Sequence, residues 1–289
     1  MPSVPVDPAA AAEVLRRHGA RKIAYCGVAP HSPHDVPGDV DGVVIVDAER
    51  FRGLMRTLEP LARRGCLILP ACRDWVVPQE LRDGDAMYGA WKTTSAASYI
   101  ARCNLRGHYL EFGTFWGSSF FPNYFRLHHW LRGSFFAFDS FRGLSTPQAG
   151  ETLFTGGDFQ EGAYCANERS FIALADFLEM PRERLAVIPG FFHETLSISP
   201  AKYKLEPASV SVCYIDCDLR EPTEQVLEFV TPLLDDGALV YFDDWRLCRA
   251  SRVVGERAAA LHWLARNPGF ELVEFDRDSW QHQWFIFSR

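Results

Sequence analysis

Five short apolar or β-branched runs recur along this chain, each closed by Asp, Pro or Gly: Gly107 to Phe112, Ser134 to Asp139, Leu185 to Pro189, Val210 to Asp216 and Ala238 to Phe242. Runs this short and this uniformly apolar mark strands buried on both faces beneath helices. The stretches between them have room for crossover helices. One helix is expected from about Tyr88 to Arg102, ahead of the first run, and another from about Gly117 to Leu131 after it. Strand and helix alternating in this way require a parallel, doubly wound sheet. The last two runs break the pattern. Phe270 to Phe275 and Gln283 to Phe287 are separated by seven residues. That is too few for a crossover helix, so the sheet is expected to end in an antiparallel hairpin.

At 289 residues, 47% apolar and 23% charged, the chain has room for one large α/β domain and an extension. A net charge of -7 with no cluster of Lys and Arg argues against a nucleic-acid partner and for a small-molecule substrate. No apolar stretch reaches the ~18 residues of a membrane span. The N-terminus also lacks the basic-then-apolar order of an export signal, so a cytoplasmic protein without a membrane partner is expected. The eight cysteines form no Cys-x-x-Cys pair, and several lie in apolar runs. Free, reduced thiols acting as small hydrophobes are expected.

Residues 1–85 read as an α/β extension and 86–289 as the main domain. Asp7-Pro8 caps an Ala-rich helix from Ala9 to Arg17, since Asp accepts orphan amide protons and Pro already has helical φ. Strands are expected at Lys22 to Val28, Gly42 to Val46 and Cys66 to Leu69, with a helix from Glu49 to Arg64. His31 and His34 lie in the polar loop Pro30 to Asp41 and read as solvated rather than metal-binding. The extension is a candidate substrate lid or subunit interface, and a homo-oligomer is expected.

In doubly wound sheets ligands bind beyond the carboxyl ends of the strands. The first run continues as Glu111-Phe112-Gly113-Thr114-Phe115-Trp116-Gly117-Ser118. A strand entering Glu-x-Gly-x-x-x-Gly is how many S-adenosylmethionine sites begin. Gly113 permits a sharp turn, and Gly117 a close approach where the next helix starts. The second run ends at Asp139, whose two carboxylate oxygens suit the two ribose hydroxyls. The third ends at Gly190, the fourth at Asp216 with Asp218 beyond it, and the fifth at Asp243-Asp244. Carboxylates gathered on one sheet edge repel one another unless a cation compensates. Asp216, Asp243 and Asp244 therefore read as a site for a hard divalent ion such as Mg²⁺.

Four blocks, Phe138-Asp139-Ser140-Phe141-Arg142-Gly143-Leu144, Gly190-Phe191-Phe192-His193-Glu194-Thr195-Leu196, Tyr214-Ile215-Asp216-Cys217-Asp218-Leu219 and Phe242-Asp243-Asp244-Trp245, resemble those of the macrocin O-methyltransferase family, in family order. The resemblance runs from about Met87 to Asp244. It implies the class I methyltransferase fold, a Rossmann-like doubly wound sheet with a C-terminal hairpin, and Mg²⁺-dependent methylation of a sugar hydroxyl in secondary-metabolite or antibiotic biosynthesis. It also implies that Glu111, Gly113, Ser118, Asp139 and Ser140 hold the methionine and ribose of the cofactor, that Gly190 and Phe191 lie near the adenine, and that Asp216, Asp243 and Asp244 hold the metal. The chain departs from the family at Leu219-Arg220-Glu221-Pro222-Thr223, at Trp245, at Trp91 to Ser95 and in its longer N-terminal region. A catechol-like phenol acceptor is less well matched, because Leu219 stands where such enzymes carry Lys. A nicotinamide oxidoreductase would need glycine at Glu111. A non-catalytic binding protein has no use for the clustered acids.

An aliphatic hydroxyl is a poor nucleophile at neutral pH, so methyl transfer needs a base and a cation that acidifies the acceptor. Asp216 is the expected base, with His193 and His282 as rivals. The aromatics from Phe112 to Phe125 read as packed core. The stretch from Ser145 to Asn167 reads as a long loop, either a lid over the substrate or a surface excursion.

Overall fold

The computed structural model describes residues 7–26, 36, 39–46, 58–71, 91–277 and 279–289. The expected helix start near Tyr88, the first part of the Glu49 to Arg64 helix, His31 and His34 lie outside them. Asp7 caps α1 (Pro8–Arg17), its side chain accepting from the Ala10 amide at 2.8 Å. Strands β1 (Ile23–Cys26), β2 (Gly42–Ile45) and β3 (Leu67–Pro70) pair in parallel, in that order.

The main sheet has seven strands: β4 (His108–Phe112), β5 (Phe135–Asp139), β6 (Leu185–Pro189), β7 (Val210–Ile215), β8 (Leu234–Phe242), β9 (Glu271–Asp276) and β10 (Gln283–Ser288). Their order is β6-β5-β4-β7-β8-β10-β9. The first five are parallel, and β10 runs antiparallel to both β8 and β9. The chain moves outward from β4 through β5 to β6 and then returns to the other side of β4 as β7. A crevice opens at such a reversal, beyond the carboxyl ends of β4 and β7.

Successive side chains of β4 serve opposite layers, as strand geometry dictates. Tyr109 packs with Phe120, Phe135 and Tyr214 on one face. Leu110 and Phe112 pack with Phe138, Ile215 and Phe229 on the other. Helices α2 (Trp91–Cys103), α3 (Phe120–Leu127), α4 (Ala149–Phe154), α5 (Glu168–Phe177), α6 (Phe192–Thr195), α7 (Arg220–Val230) and α8 (Gly255–Arg266) complete the layers. The N-terminal sheet is fastened to the main domain through α5. Leu15, Val44 and Leu69 share one apolar core with Phe171 and Leu174, Ser170 Oγ accepts from the Ile68 amide at 2.9 Å, and the Asn167 side chain donates to the Cys66 carbonyl at 2.7 Å.

Three expectations need correction. The helix after β4 begins at Phe120 rather than Gly117, because Gly117 has φ +78° and belongs to the preceding turn. Strand β8 begins four residues before Ala238 and takes in Asp235, Asp236 and Gly237, whose polarity hid it. The stretch from Ser145 to Asn167 is not a simple loop, since it contains α4. Among the described residues no helix is long and apolar enough to cross a membrane.

Candidate active site

At the carboxyl ends of β4, β5, β7 and β8 lies a cavity of about 780 Å³. Its floor is the turn after β4. Gly113 has φ +88°, and a Cβ there would collide with the backbone carbonyl of Asp216 at the end of β7. The glycine is needed where two neighbouring strands converge, as well as for the bare backbone it leaves facing the cavity. Thr114 and Phe115 follow, and both of their amides donate to Asp139 Oδ2 at 2.8 Å. Phe115 is held at φ +48°, a conformation costly for an aromatic residue and imposed here by that carboxylate. Asp139 Oδ1 accepts from the Phe141 amide at 2.6 Å. A carboxylate offers about four acceptor positions, so one remains, on Oδ1. The expected grip on both ribose hydroxyls narrows to one oxygen. Burial raises the Asp139 pKa against the pull of these three amides.

Glu111, expected at the cofactor, does not line the cavity. It is fully buried, accepting from Ser119 Oγ at 2.6 Å through one oxygen and from the Tyr109 hydroxyl through the other. Asn123 donates to that same hydroxyl at 2.8 Å. Burial drives the Glu111 pKa up to about 8. Its contribution is to fix Ser119, which does face the cavity. Gly117 and Gly190 also stand back from the wall: a Cβ on the first would strike the Phe121 ring, and one on the second would crowd Thr195. Gly113, Ser118, Asp139, Ser140 and Phe191 do line it. Thr114, which the sequence reading passed over, is on the wall as well, and its buried Oγ1 has no hydrogen-bond partner among the described residues.

Asp216, Asp218, Asp243 and Asp244 line the opposite side. Burial first, then Asp243, Asp218 and Asp244, push the Asp216 pKa well above the usual carboxylate range. Asp244 shifts the same way, for burial and for Asp218 and Asp243, while the Gln281 amide that donates to its Oδ1 opposes the shift. Asp243 Oδ1 accepts from the Tyr241 hydroxyl at 2.8 Å, and His282 Nε2 lies 3.4 Å away. His282 is therefore a partner of Asp243 and is absent from the wall. His193 is exposed at the rim, its ring parallel to Phe191 at 5.7 Å. Among the described residues, no group of three or more His, Cys, Asp or Glu side chains is gathered closely enough to hold a metal ion.

Two buried glutamates that the sequence reading missed brace this edge. Glu256, on α8, accepts the Cys217 amide at 3.0 Å and the Asp244 amide at 2.8 Å, tying together the loops that follow β7 and β8. Its only sequence signal was an acid in a helix's first turn, which ordinarily reads as a dipole partner. Glu151, on α4, accepts from its own helix start at Gln148 and from the first amides of α7 and α8, Arg220 at 2.6 Å and Gly255 at 3.3 Å. The insertion is also pinned at its base. The Leu144 amide donates to the Ala163 carbonyl at 2.8 Å, the Gly162 amide donates to the Leu144 carbonyl at 2.9 Å, and Glu59 of the N-terminal layer accepts from the Tyr164 amide at 3.1 Å. The insertion is thus a braced roof that brings Thr146, Thr155, Phe159 and Tyr164 to the cavity.

No protein-family model matches this sequence, and no curated protein is similar to it in sequence. Solved structures are similar in fold. The O-methyltransferase NovP superposes with a TM-score of 0.53 at 17% identity, over 84% of this chain and 100% of that one. CalS11, a calicheamicin methyltransferase, superposes with a TM-score of 0.55 at 19% identity, over 83% of this chain and 90% of that one. With a sheet of parallel strands closed by antiparallel C-terminal ones, this chain has the class I methyltransferase fold.

Proposed function

We propose that the chain is an S-adenosylmethionine-dependent O-methyltransferase acting on a hydroxyl of a small molecule, a sugar moiety of a glycoside. The observation that carries this reading is the cavity itself. It joins the bare backbone of Gly113, the carboxylate of Asp139 and the orphaned hydroxyl of Thr114 on one side to four clustered carboxylates on the other. The first side suits the amino-acid and ribose parts of the cofactor, and Phe191 offers a face for its adenine. The second side suits an acceptor hydroxyl that must lose a proton. The likeness in fold to O-methyltransferases supports the assignment.

Asp216, Asp243 and Asp244 are the proposed Mg²⁺ ligands on donor chemistry alone, hard oxygens that repel one another; as they stand in this structure they are not gathered closely enough to hold the ion, so the assignment requires the ion itself to draw them together. Bound there, the ion would acidify the acceptor hydroxyl. Asp216 is the proposed base, because it faces the cavity on the side that would receive the acceptor hydroxyl. Asp218 stands beside it on the same wall. Glu256 keeps the two acid-bearing loops in register. Positioning acceptor oxygen and methyl group in line then supplies much of the acceleration.

Calorimetric titration with S-adenosylhomocysteine, with and without Mg²⁺, tests the assignment. Binding in the micromolar range is expected, together with its loss in an Asp139→Ala variant, which frees the Thr114, Phe115 and Phe141 amides. No binding to the parent protein under either condition would sink the methyltransferase reading. Asp216→Asn is expected to keep S-adenosylhomocysteine affinity within about threefold while losing at least about 10³ in turnover, the upper part of what proton transfer contributes. An active Asp216→Asn enzyme would remove Asp216 from both of its proposed roles.

A further inference from the structure

Trp116 stands in the turn after β4, between Phe115 and Ser118, yet it does not line the cavity that both of those residues face. It is 2% exposed, with its side chain in the core of the N-terminal layer. There it shares one apolar cluster with Cys26 of β1, Val43 and Ile45 of β2 and Ile68 of β3. The left-handed conformation of Phe115, φ +48°, bends the chain at this point, and the two rings part at an interplanar angle of 65° with centroids 5.9 Å apart. One ring meets the cavity and the next is sunk against a neighbouring sheet. Ala166, at the end of the roof, joins the same cluster. The layer also grips the roof through polar contacts: Arg63 donates to the Gly162 carbonyl, and the Asn167 side chain donates to the Ala62 and Cys66 carbonyls at 3.4 and 2.7 Å.

The turn that would carry the cofactor is therefore held from two sides. Asp139 draws in the amides of Thr114 and Phe115 at 2.8 Å from within the main sheet, and Trp116 ties the same turn to the other sheet. Gly113, Thr114 and Ser118, which line the cavity, flank this tie in the chain. A buried aromatic side chain of this kind withdraws about 150–250 Å² from water, a large apolar anchor for a single residue. Backbone already fixed in its binding conformation spares a ligand the cost of ordering it. We propose that Trp116 is a positioning residue for the cofactor and that the N-terminal layer is the seat of the cofactor turn. The proposal rests on the methyltransferase reading and adds to it a role for that layer: the cofactor site is complete only while the layer is folded against it.

Calorimetric titration of the full chain with S-adenosylhomocysteine, read beside urea midpoints, separates positioning from plain stability. Trp116→Ala is expected to raise the Kd about tenfold or more, because the freed turn must be ordered on binding. Trp116→Phe, which refills most of the space with another ring, is expected to return it to within about threefold of the parent. Val43→Ala and Val44→Ala supply a second comparison. The two are adjacent on β2 and fully buried, but on opposite faces: Val43 in the cluster with Trp116, Val44 in the cluster with Leu15, Phe171 and Leu174. Both variants lose the same two methyl groups and comparable stability. Only Val43→Ala is expected to weaken binding, by about threefold or more, while Val44→Ala stays within about twofold of the parent, as a site without shared partners should. The valine pair decides the matter even where Trp116→Ala is too unstable to titrate. Parent-like affinity in Trp116→Ala, or equal affinity in the two valine variants, would overturn the proposal. If the parent binds S-adenosylhomocysteine and the variants do not differ, only the role given to Trp116 is wrong; if the parent does not bind, the methyltransferase reading falls first.

Discussion

Gly113→Ala is expected to lose a large part of the protein's stability. Two costs add at this position. The backbone has φ +88°, which charges a residue with a Cβ about 1–2 kcal/mol. The new Cβ would also collide with the Asp216 carbonyl, and a backbone atom of a central strand has no rotamer by which to give way. Relief requires β4 and β7 to part at the point where Asp216 donates its amide to the Phe112 carbonyl at 2.9 Å. The combined cost should exceed about 4 kcal/mol, the range reserved for severe core lesions, against a typical total stability of about 5–15 kcal/mol. Gly156→Ala is the matched control. Its φ is +66°, but nothing lies within 4 Å of the added Cβ, so only the conformational cost of about 1–2 kcal/mol applies. Urea midpoints and soluble yield for the two variants check the prediction. Equal stability of the two would show that the strand ends yield more readily than their packing indicates.

The second large effect is on pH. In the presence of a chelator the protein should lose stability as pH rises from about 5 to about 8. A free glutamate releases its proton near ~4.3, whereas the folded protein holds the Glu111 proton up to about 8. Across that window the folded state binds more protons than the unfolded chain, so the stability falls with rising pH. One such group accounts for up to about 5 kcal/mol, at about 1.4 kcal/mol for each pH unit of displacement. Glu256 is also fully buried and raised, first by burial and then by Asp244, and adds to the same slope. Glu111→Gln should lower the slope without abolishing it, since the amide keeps the shape without the titration while the raised Asp139, Asp216, Asp244 and Glu256 still contribute. Denaturation midpoints at several pH values read the slope directly. A flat profile in the parent, or an unchanged slope in Glu111→Gln, would contradict this account.

The order of elements was legible because it is written locally. Apolar runs five to seven residues long, separated by helical periodicity, dictate a parallel sheet, and seven residues before Gln283 dictate the antiparallel hairpin that β9 and β10 form. The strand-end acids were legible for the same reason, since a parallel sheet delivers all its carboxyl ends to one edge. That Asp139, Asp216, Asp218, Asp243 and Asp244 share a cavity follows from topology alone.

What each carboxylate does was decided by contacts between residues far apart in the chain. Glu111 and Asp139 both close a strand, yet Glu111 points into the layer beneath and braces Ser119, while Asp139 turns upward to hold the cavity floor. Both emerge on the same face of the sheet, for Glu111 pairs with Ala137 and Asp139 stands two residues beyond it, so what separates them is the step along the strand that carries Asp139 to the carboxyl edge. Glu256 and Glu151 carried no motif, and their roles exist only because α8 and α4 bring them to amides 39 and 69 residues away. The roof shows the same limit, for its apolar and acidic residues spell a surface loop until Glu59, Glu151 and the Leu144 pairing pin it. Periodicity and chain topology thus set by sequence alone where the site lies. Which groups are free to meet a ligand depended on tertiary structure, because a buried polar atom takes whatever partner the fold places within reach, and chain separation does not encode that distance.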